Sequence, residues 1–400
     1  MPVLPALDTP ILIHWREADI EHSALWRSES GMPAPKKVVI ADDQMPADLA
    51  YRLACEGTAL LWRGDFQNAR QLLQALARRA DHKGGKGDKV KRIKAPKPGA
   101  AAPVTPAAVT PATAFHLHRQ AQSQRARTLA MLLIPFDADY IIPLRRAPEV
   151  KIACNEAYGR PSVPFVASLR ELLGLIGAHE WRKNGVQIDA LDARIHPHYG
   201  VFSPIRGEYV ALVNEAPLPP GATLAFDIGT GTGVLAALLA RRGVAKVIAT
   251  EMDARALSCA RDNLHRLAFD RQVEVVQADL FPDGRAALIV CNPPWLPGRP
   301  SSSIESAIYD PDSRMLHGFL DGLVSHLAPG GEGWLILSDL AEHLGLRPRA
   351  QLLARIEAAG LLVLERRDVR PTHPRASDAS DALHAARSAE VTSLWRLAAR

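Results

Sequence analysis

The residues best suited to chemistry in this sequence are Asn292-Pro293-Pro294-Trp295, which follow the apolar run 286–289. The side-chain oxygen of Asn292 and the carbonyl of Pro293 are hydrogen-bond acceptors. The two prolines fix φ near −65° and add no backbone donor. Two acceptors on a rigid loop can take both N–H bonds of a planar amino group, which frees the nitrogen lone pair for reaction. Trp295 offers a flat face, worth about 1–3 kcal/mol to a stacked base. These four residues are the predicted catalytic set, and they need neither a metal nor a strong base.

A second motif, DIGTGTG at 227–233, places three glycines at alternate positions. Glycine lets a backbone turn tightly and approach a ligand where a Cβ would collide. The dinucleotide fingerprint GxGxxG is weakened because its last glycine would fall on Val234, and the phosphate loop GxxxxGK[ST] is absent. The loop therefore indicates another small ligand, with Asp227, Gly229, Thr230, Gly231, Thr232 and Gly233 as candidate binding residues.

Acidic side chains end the predicted strands that surround this loop. Glu251 lies 22 residues after Gly229, where a carboxylate can take both hydroxyls of a ribose. Asp279 is followed by Leu280, a combination that suits an adenine amino group held over an apolar wall. Asp227, behind the glycines, suits the ammonium of an amino-acid moiety. Any one of these acids alone would be expected to cap a helix, but three at strand ends favour a ligand.

From Thr223 onward, apolar strands and amphipathic helices alternate along the chain. This order predicts an α/β domain with a Rossmann-like, seven-stranded, mostly parallel sheet. We predict no helix between the last two strands, which favours an antiparallel pair at the C-terminal edge. The predicted strands are TLAFDIG, VIATEMD, VEVVQADLF, AALIVCN, GGEGWLILSDL, LLVLERRDV and VTSLWRLA.

The preceding region is predicted to be mainly helical and to recognise the substrate. Its predicted helices cover 47–80, with a break near Gly64, then 115–134 and 163–183, before a hairpin or short strands in VQIDALDARIHPHYGVFSP. Residues 81–113 are rich first in Lys and Gly and then in Ala, Pro and Thr, which predicts a disordered tether. We therefore divide the chain into a helical domain at 1–180 and a catalytic domain at 181–400.

Composition limits the alternatives for this 400-residue chain. An apolar fraction of 47% and a charged fraction of 23% are ordinary for a globular protein, and no apolar run is long enough to cross a bilayer. The four cysteines form no CxxC pair, and the N-terminus is a poor secretory signal, so the cytoplasm is the expected compartment. His196 and His198 lack further ligands at metal spacing, so no metal is expected.

Four segments, FDIGTGTGVLA, ATEMDARAL, QADLF and CNPPW, resemble in order and spacing the class I S-adenosylmethionine-dependent methyltransferases. Within that class the chain is similar, over about 195–400, to the small-domain N-methyltransferases that act on release factor glutamine or ribosomal RNA guanine. The resemblance implies S-adenosyl-L-methionine as cofactor. It places Gly229–Gly233 under the methionine part, Glu251 on the ribose, and Asp279 and Leu280 around the adenine, with Met252 and Asn292 completing the cofactor-binding set. Most relatives have Asp where this chain has Glu251.

Two classes of methyl acceptor stay open. A base in RNA, with ribosomal RNA favoured, suits the net charge of +5, the lysine-rich tether and the basic helix with Arg119, Arg125 and Arg127. A protein glutamine is the alternative, although enzymes of the release factor type typically have Tyr at the position of Trp295. The ribosomal guanine enzymes carry a degenerate second methyltransferase domain at the N-terminus, whereas the N-terminal region here is shorter and shows no second glycine loop. A catalytically silent cofactor-binding scaffold is disfavoured because both motifs are intact.

Overall fold

The computed structural model describes residues 11–84, 110–160, 163–205, 207–371 and 381–400. The chain divides into two compact units, Met1–Gly177 and Ala178–Arg400. Most of the predicted tether, 85–109, lies outside the described residues. Its two ends are helical, because one helix runs to Gly84 and the next begins at Pro111.

The first unit contains a six-stranded mixed sheet with helices packed around it. Its strands are β1 (Leu12–Glu17), β2 (Ile20–Trp26), β3 (Lys37–Ala41), β4 (Thr58–Trp62), β5 (Leu132–Phe136) and β6 (Phe165–Ser168). Their order in the sheet is β1-β2-β6-β5-β4-β3. The pairs β1–β2 and β5–β6 are antiparallel, and the other pairs are parallel. The helices are α1 (Ala47–Cys55), α2 (Phe66–Gly84), α3 (Pro111–Ala130), α4 (Lys151–Tyr158) and α5 (Leu169–Asn184).

The expectation of a largely helical N-terminal domain is therefore wrong. The predicted helix at 47–80 is two helices with β4 between them, the helix predicted at 115–134 ends at Ala130 before β5, and the helix predicted at 163–183 begins only after β6. Every residue of β4 is buried. A short, continuous apolar run has no period of two, so periodicity alone does not distinguish a fully buried strand from a buried helix.

The second unit confirms the predicted seven-stranded sheet. The strands of this unit are β7 (Val186–Ile188), β8 (Ala193–Ile195), β9 (Leu224–Ile228), β10 (Lys246–Glu251), β11 (Val273–Gln277), β12 (Ala286–Cys291), β13 (Leu296–Pro297), β14 (Tyr309–Asp310), β15 (Leu327–Ser338), β16 (Leu361–Val369) and β17 (Thr392–Ala399). The order in the large sheet is β11-β10-β9-β12-β15-β17-β16, and its first five strands are parallel to one another. The helices are α6 (Glu208–Glu215), α7 (Val234–Arg241), α8 (Ala254–Arg266), α9 (Arg314–His326), α10 (Leu340–His343), α11 (Arg349–Ala358) and α12 (His384–Ala389).

The C-terminal edge differs in detail from the prediction. β16 and β17 are antiparallel, as expected, but β17 lies between β15 and β16, so β16 forms the edge. A short helix, α12, interrupts the connection for which no helix was predicted. β7 and β8 form the predicted hairpin.

Alternate residues of the central strands enter opposite faces of the sheet. Ala225 of β9 packs into one core cluster, while Phe226 and Ile228 pack into the other. β12 divides its residues in the same way, with Val290 on the first face and Ile289 on the second. Burial on both faces explains why these strands are continuously apolar. Among the described residues, no helix has the length and apolar character needed to cross a membrane.

Candidate active site

The two motifs leave neighbouring strands at the same level of the sheet. β9 and β12 are adjacent and parallel, with Ile228 paired to Cys291, so the glycine loop and the NPPW segment begin side by side. On the other side of β9, Glu251 pairs with Gln277 at the ends of β10 and β11, two residues before Asp279. Ligands of open parallel sheets bind at the carboxyl ends of strands. The structure thus brings the predicted site residues to one edge.

The glycine loop uses left-handed backbone at each of its glycines. The φ angles are 71° at Gly229, 56° at Gly231 and 81° at Gly233, values that other residues rarely adopt. An added Cβ on Gly233 would lie 3.3 Å from Cα of Ala260 in α8, so this glycine also permits close helix packing. An added Cβ on Gly231 would meet no atom within 4 Å, so the loop has an open side there.

Asp227 holds the loop against the first turn of α7. Its Oδ2 accepts the hydroxyl of Thr230 at 2.6 Å and the backbone N–H of Ala236 at 3.1 Å. Burial raises the pKa of this carboxyl to about 6, and the nearby charge of Glu251 acts in the same direction. The observed contacts are therefore those of a loop brace, and binding of a ligand ammonium by Asp227 stays a prediction.

The raised pKa of Asp227 predicts a pH-dependent stability. A carboxyl whose pKa is about 6 in the folded protein and 3.8 ordinarily binds more protons when folded, so its contribution to stability is largest below pH 3.8 and is lost as pH rises to about 6. The resulting loss in free energy of unfolding approaches about 3 kcal/mol. Asp227→Asn, which cannot ionise, should abolish this contribution, and denaturant unfolding of both proteins between pH 4 and 7 measures the difference. If the free energies of unfolding of the wild type and Asp227→Asn differ by the same amount at every pH, the raised pKa of Asp227 is contradicted.

Glu251 is oriented by backbone amides. Its Oε2 accepts the N–H of Gly231 at 3.2 Å, while Oε1 accepts those of Met252 at 2.8 Å and Asp253 at 3.2 Å. Asp253 itself caps α8, since its side chain accepts two backbone N–H groups of the first turn. The longer Glu251 side chain is thus fixed beside the open side of the glycine loop, where a ribose is predicted.

Asp279 and Leu280 flank the same region. Asp279 Oδ2 accepts from Nη2 of Arg314 at 2.5 Å, an ion pair that was not predicted. Leu280 has a φ of 71°, and its carbonyl accepts the hydroxyl of Thr250 at 2.6 Å. Met252 is 55% exposed. The observed partner of the Asp279 carboxylate is Arg314, and binding of an adenine by Asp279, Leu280 and Met252 stays a prediction.

The NPPW segment is held by contacts within itself and with distant residues. Trp295 donates its indole N–H to Oδ1 of Asn292 at 2.9 Å, and its carbonyl accepts from Nη2 of Arg347 at 3.1 Å. The Trp295 side chain is partly buried and packs against both core clusters. Pro293 is buried and Pro294 partly so. Stacking of Trp295 on a substrate stays a prediction.

Three residues of the site were not found from the sequence: Arg314, Met315 and Arg347. Met315 covers the glycine loop, since a Cβ on Gly229 would collide with its methyl group. Arg314 and Met315 are the first two residues of α9, and Arg347 lies between α10 and α11. None of the three belongs to the glycine or NPPW motif. The bond between Trp295 and Asn292 is different, because a donor-only indole three residues after an amide is a local signal that could have indicated it.

The remaining polar candidates have structural partners. His196 Nδ1 lies 2.6 Å from the carbonyl of Arg182, and His198 Nε2 lies 3.0 Å from Asp262. Burial raises the pKa of the Cys291 thiol well above its ordinary value, which disfavours a nucleophilic thiolate. Within the described ranges, no group of three or more His, Cys, Asp or Glu side chains could hold a metal ion.

A family model described as "Methyltransferase small domain" matches residues 192–349. A tRNA1(Val) (adenine(37)-N6)-methyltransferase of Bacteroides fragilis is 34% identical over 145 residues, which cover 32% of this chain and 61% of the relative. A release factor glutamine methyltransferase of Cereibacter sphaeroides is 35% identical over 160 residues, covering 38% and 53%. A ribosomal protein L11 methyltransferase of Pelotomaculum thermopropionicum is 36% identical over 150 residues, covering 37% and 40%.

The chain thus spans 40% to 61% of the length of these three curated relatives. Among solved structures, the L11 methylase of Lactobacillus delbrueckii subsp. bulgaricus is 15% identical, covers 50% of this chain and 83% of its own, and has a TM-score of 0.33. The family model and the curated relatives confirm the resemblance carried by the four sequence motifs.

Proposed function

We propose that this protein is an S-adenosylmethionine-dependent enzyme that methylates the nitrogen of a planar amino group, because the methyltransferase small domain model matches residues 192–349. The observation that carries the proposal is the pairing of Ile228 with Cys291. It sets the glycine loop and the NPPW segment next to each other at the carboxyl edge of the sheet. A cofactor site and an amine site on adjacent loops are what direct transfer between two bound molecules requires.

The residues of the glycine loop fit the cofactor. The open side at Gly231 and the left-handed backbone of the loop provide a cradle that a side chain would fill. Gly229–Gly233 would hold the methionine part, Glu251 the ribose hydroxyls, and Asp279, Leu280 and Met252 the adenine. When bound, S-adenosylmethionine supplies an electrophilic methyl group.

Asn292 and Pro293 would perform the chemistry expected of this chain. The Oδ1 atom of Asn292 and the carbonyl of Pro293 accept the two N–H bonds of the amine. This withdraws the nitrogen lone pair from its π-system and stabilises the positive charge that develops on the nitrogen. The nitrogen then loses a proton to solvent, so no strong base is needed. The buried, protonated thiol of Cys291 takes no covalent part.

A base in RNA is our first choice of acceptor. One relative is named for an adenine of tRNA, and the net charge of +5 favours a polyanion. The basic helix α3 gives weaker support than its sequence suggested, because Arg125 pairs with Asp81 and Arg127 donates to Gln124. A protein glutamine is the second choice, since another relative is a release factor glutamine methyltransferase.

Transfer of a tritiated methyl group tests both choices. Cell extract is incubated with labelled S-adenosylmethionine and the protein, and portions are then treated with ribonuclease or protease. We expect the precipitable label to be lost to ribonuclease and to survive protease. The reverse pattern would establish a protein acceptor and overturn the RNA assignment. No label above that of an Asn292→Ala control would contradict N-methylation.

A further inference from the structure

Arg347 is a buried cation that donates a hydrogen bond to the amine clamp, which we define as residues Asn292 to Trp295. Its relative exposure is 5%. Nη2 donates to the carbonyl of Trp295 at 3.1 Å, and Nη1 donates to the hydroxyl of Ser313 at 3.4 Å. In the described part of the chain it has no carboxylate partner in an ion pair, although Glu342 and Asp310 are near enough to act on its charge.

Such a placement is costly, so the contacts of Arg347 require an explanation. Burial lowers the pKa of its guanidinium, which reports the loss of hydration. An unpaired buried charge is unfavourable unless its donors find acceptors. Ser313, which accepts one of those donors, is itself buried and has a left-handed φ of 53°, next to Asp312 at 56°. Strain of this kind persists only where surrounding structure imposes it, and it concentrates at functional sites.

The indole N–H of Trp295, the residue whose carbonyl Arg347 holds, determines how the Asn292 side chain is oriented. An indole nitrogen is a donor only, so its partner on Asn292 must be the oxygen and not the amide nitrogen. The contact at 2.9 Å therefore fixes which way the amide faces. A carbonyl oxygen has two lone pairs, so Oδ1 keeps one for the substrate amine. Without the indole donor, the Asn292 amide could rotate and present its NH2 group, which repels an amine N–H.

We propose that Arg347 is a positioning residue for the amine clamp: by holding the carbonyl of Trp295 it seats the indole N–H on Asn292 and so aims the accepting oxygen at the substrate amine. This inference rests on the proposed N-methyltransferase function. It assigns Trp295 the task of orienting Asn292, in addition to any stacking on a substrate. Arg347 lies 52 residues after Trp295, beyond β15, and the described hydrogen bonds join its side chain to the clamp through the Trp295 carbonyl.

Three variants test the proposal, with Arg349→Met as the matched control. Arg347→Met fills the site without a donor, and Arg347→Lys restores a single donor. Trp295→Phe keeps an aromatic face but removes the indole N–H. Arg349 lies two residues away and bonds to Glu342 and Asp339, and none of the hydrogen bonds in the described part of the chain joins it to the clamp. Turnover is measured on the macromolecular fraction that takes the tritium label, and calorimetry with S-adenosylhomocysteine reports cofactor binding.

We expect kcat to fall about 100-fold in Arg347→Met and in Trp295→Phe, the loss typical of a misplaced catalytic group. KM and S-adenosylhomocysteine affinity should change less than about twofold, as for an interaction that acts in the transition state. Arg347→Lys should recover part of the rate. Arg349→Met should behave as wild type. A rise in KM for Trp295→Phe with kcat retained would indicate a binding role only and would overturn the positioning role.

A spectroscopic readout keeps the test independent of activity. In protein labelled with ¹⁵N-tryptophan, the Trp295 indole resonance is the one of seven that Trp295→Phe removes. This resonance should shift in Arg347→Met and stay in place in Arg349→Met. An unchanged resonance would overturn the proposal, and so would wild-type kcat in Trp295→Phe even if Arg347→Met failed to fold. An inactive wild type with the expected shift would instead contradict the proposed function and leave the clamp geometry standing.

Discussion

Asn292→Ala is expected to lower kcat by about 10²–10³-fold, the usual cost of removing one preorganised hydrogen-bonding group from an active site. The variant loses the side-chain acceptor for the substrate amine, so the nitrogen lone pair stays delocalised. Cofactor affinity should persist, because the glycine loop and Glu251 make no contact with Asn292 among the described hydrogen bonds. Single-turnover methyl transfer, compared with S-adenosylhomocysteine calorimetry, separates the two effects.

Two further variants make this first prediction specific. Asn292→Asp keeps an acceptor oxygen for both the indole of Trp295 and the substrate, so it should retain much more activity than the alanine variant. Asn214→Ala changes an exposed asparagine of α6 and should leave kcat unchanged. Full activity in Asn292→Ala would mean that the clamp is only a strand-ending turn. If Asn292→Ala lost cofactor affinity together with kcat, Asn292 would be assigned to the cofactor site instead of the amine site.

Gly231→Asp is expected to weaken S-adenosylhomocysteine binding at least about 100-fold, or roughly 2.8 kcal/mol. The new side chain would extend into the open side of the glycine loop and bring a negative charge beside Glu251, whose carboxylate accepts the Gly231 N–H at 3.2 Å. Asp tolerates left-handed backbone better than most residues, so the loop at a φ of 56° should still form. Isothermal calorimetry measures the affinity.

Gly221→Asp is the matched control for this second prediction. Gly221 also has a positive φ, at 72°, and an added Cβ there would meet nothing within 4 Å. It precedes β9, whereas the glycine loop follows β9, so it lies at the opposite edge of the sheet from the site. This variant should have a similar effect on the backbone and none on binding. Equal affinity of Gly231→Asp and Gly221→Asp for S-adenosylhomocysteine would contradict the placement of the cofactor at the glycine loop.

The sequence alone was enough to predict the α/β domain and the positions of its two motifs. Glycine and proline restrict the backbone locally, so GTGTG and NPPW indicate their loops without knowledge of the fold. The alternation of strands and helices after Thr223 predicted the seven-stranded sheet, because long elements with clear periods carry their own signal. Since carboxyl ends of parallel strands meet at one edge, the adjacency of loop and clamp followed from the same pattern.

The tertiary structure alone decided the fold of the first unit. β4, β5 and β6 are runs of four or five residues that are mostly or wholly buried, so they lack the alternation of apolar and polar residues that identifies a half-buried strand. Their pairing partners lie far away in sequence, with Leu60 beside Leu132 in the sheet. Hydrogen bonds between distant strands, and not local preference, make such segments extended.

Tertiary structure also decided how the clamp is held. The sequence contains Asn292 and Trp295 in one motif, but whether the indole faces a substrate or the asparagine depends on the packing of Trp295 between two cores. Arg347 reaches the clamp only because the chain returns after β15 to the edge where β12 ends. Local sequence determines which backbone shapes are allowed, whereas the orientation of a side chain is set by neighbours that only the folded chain brings together.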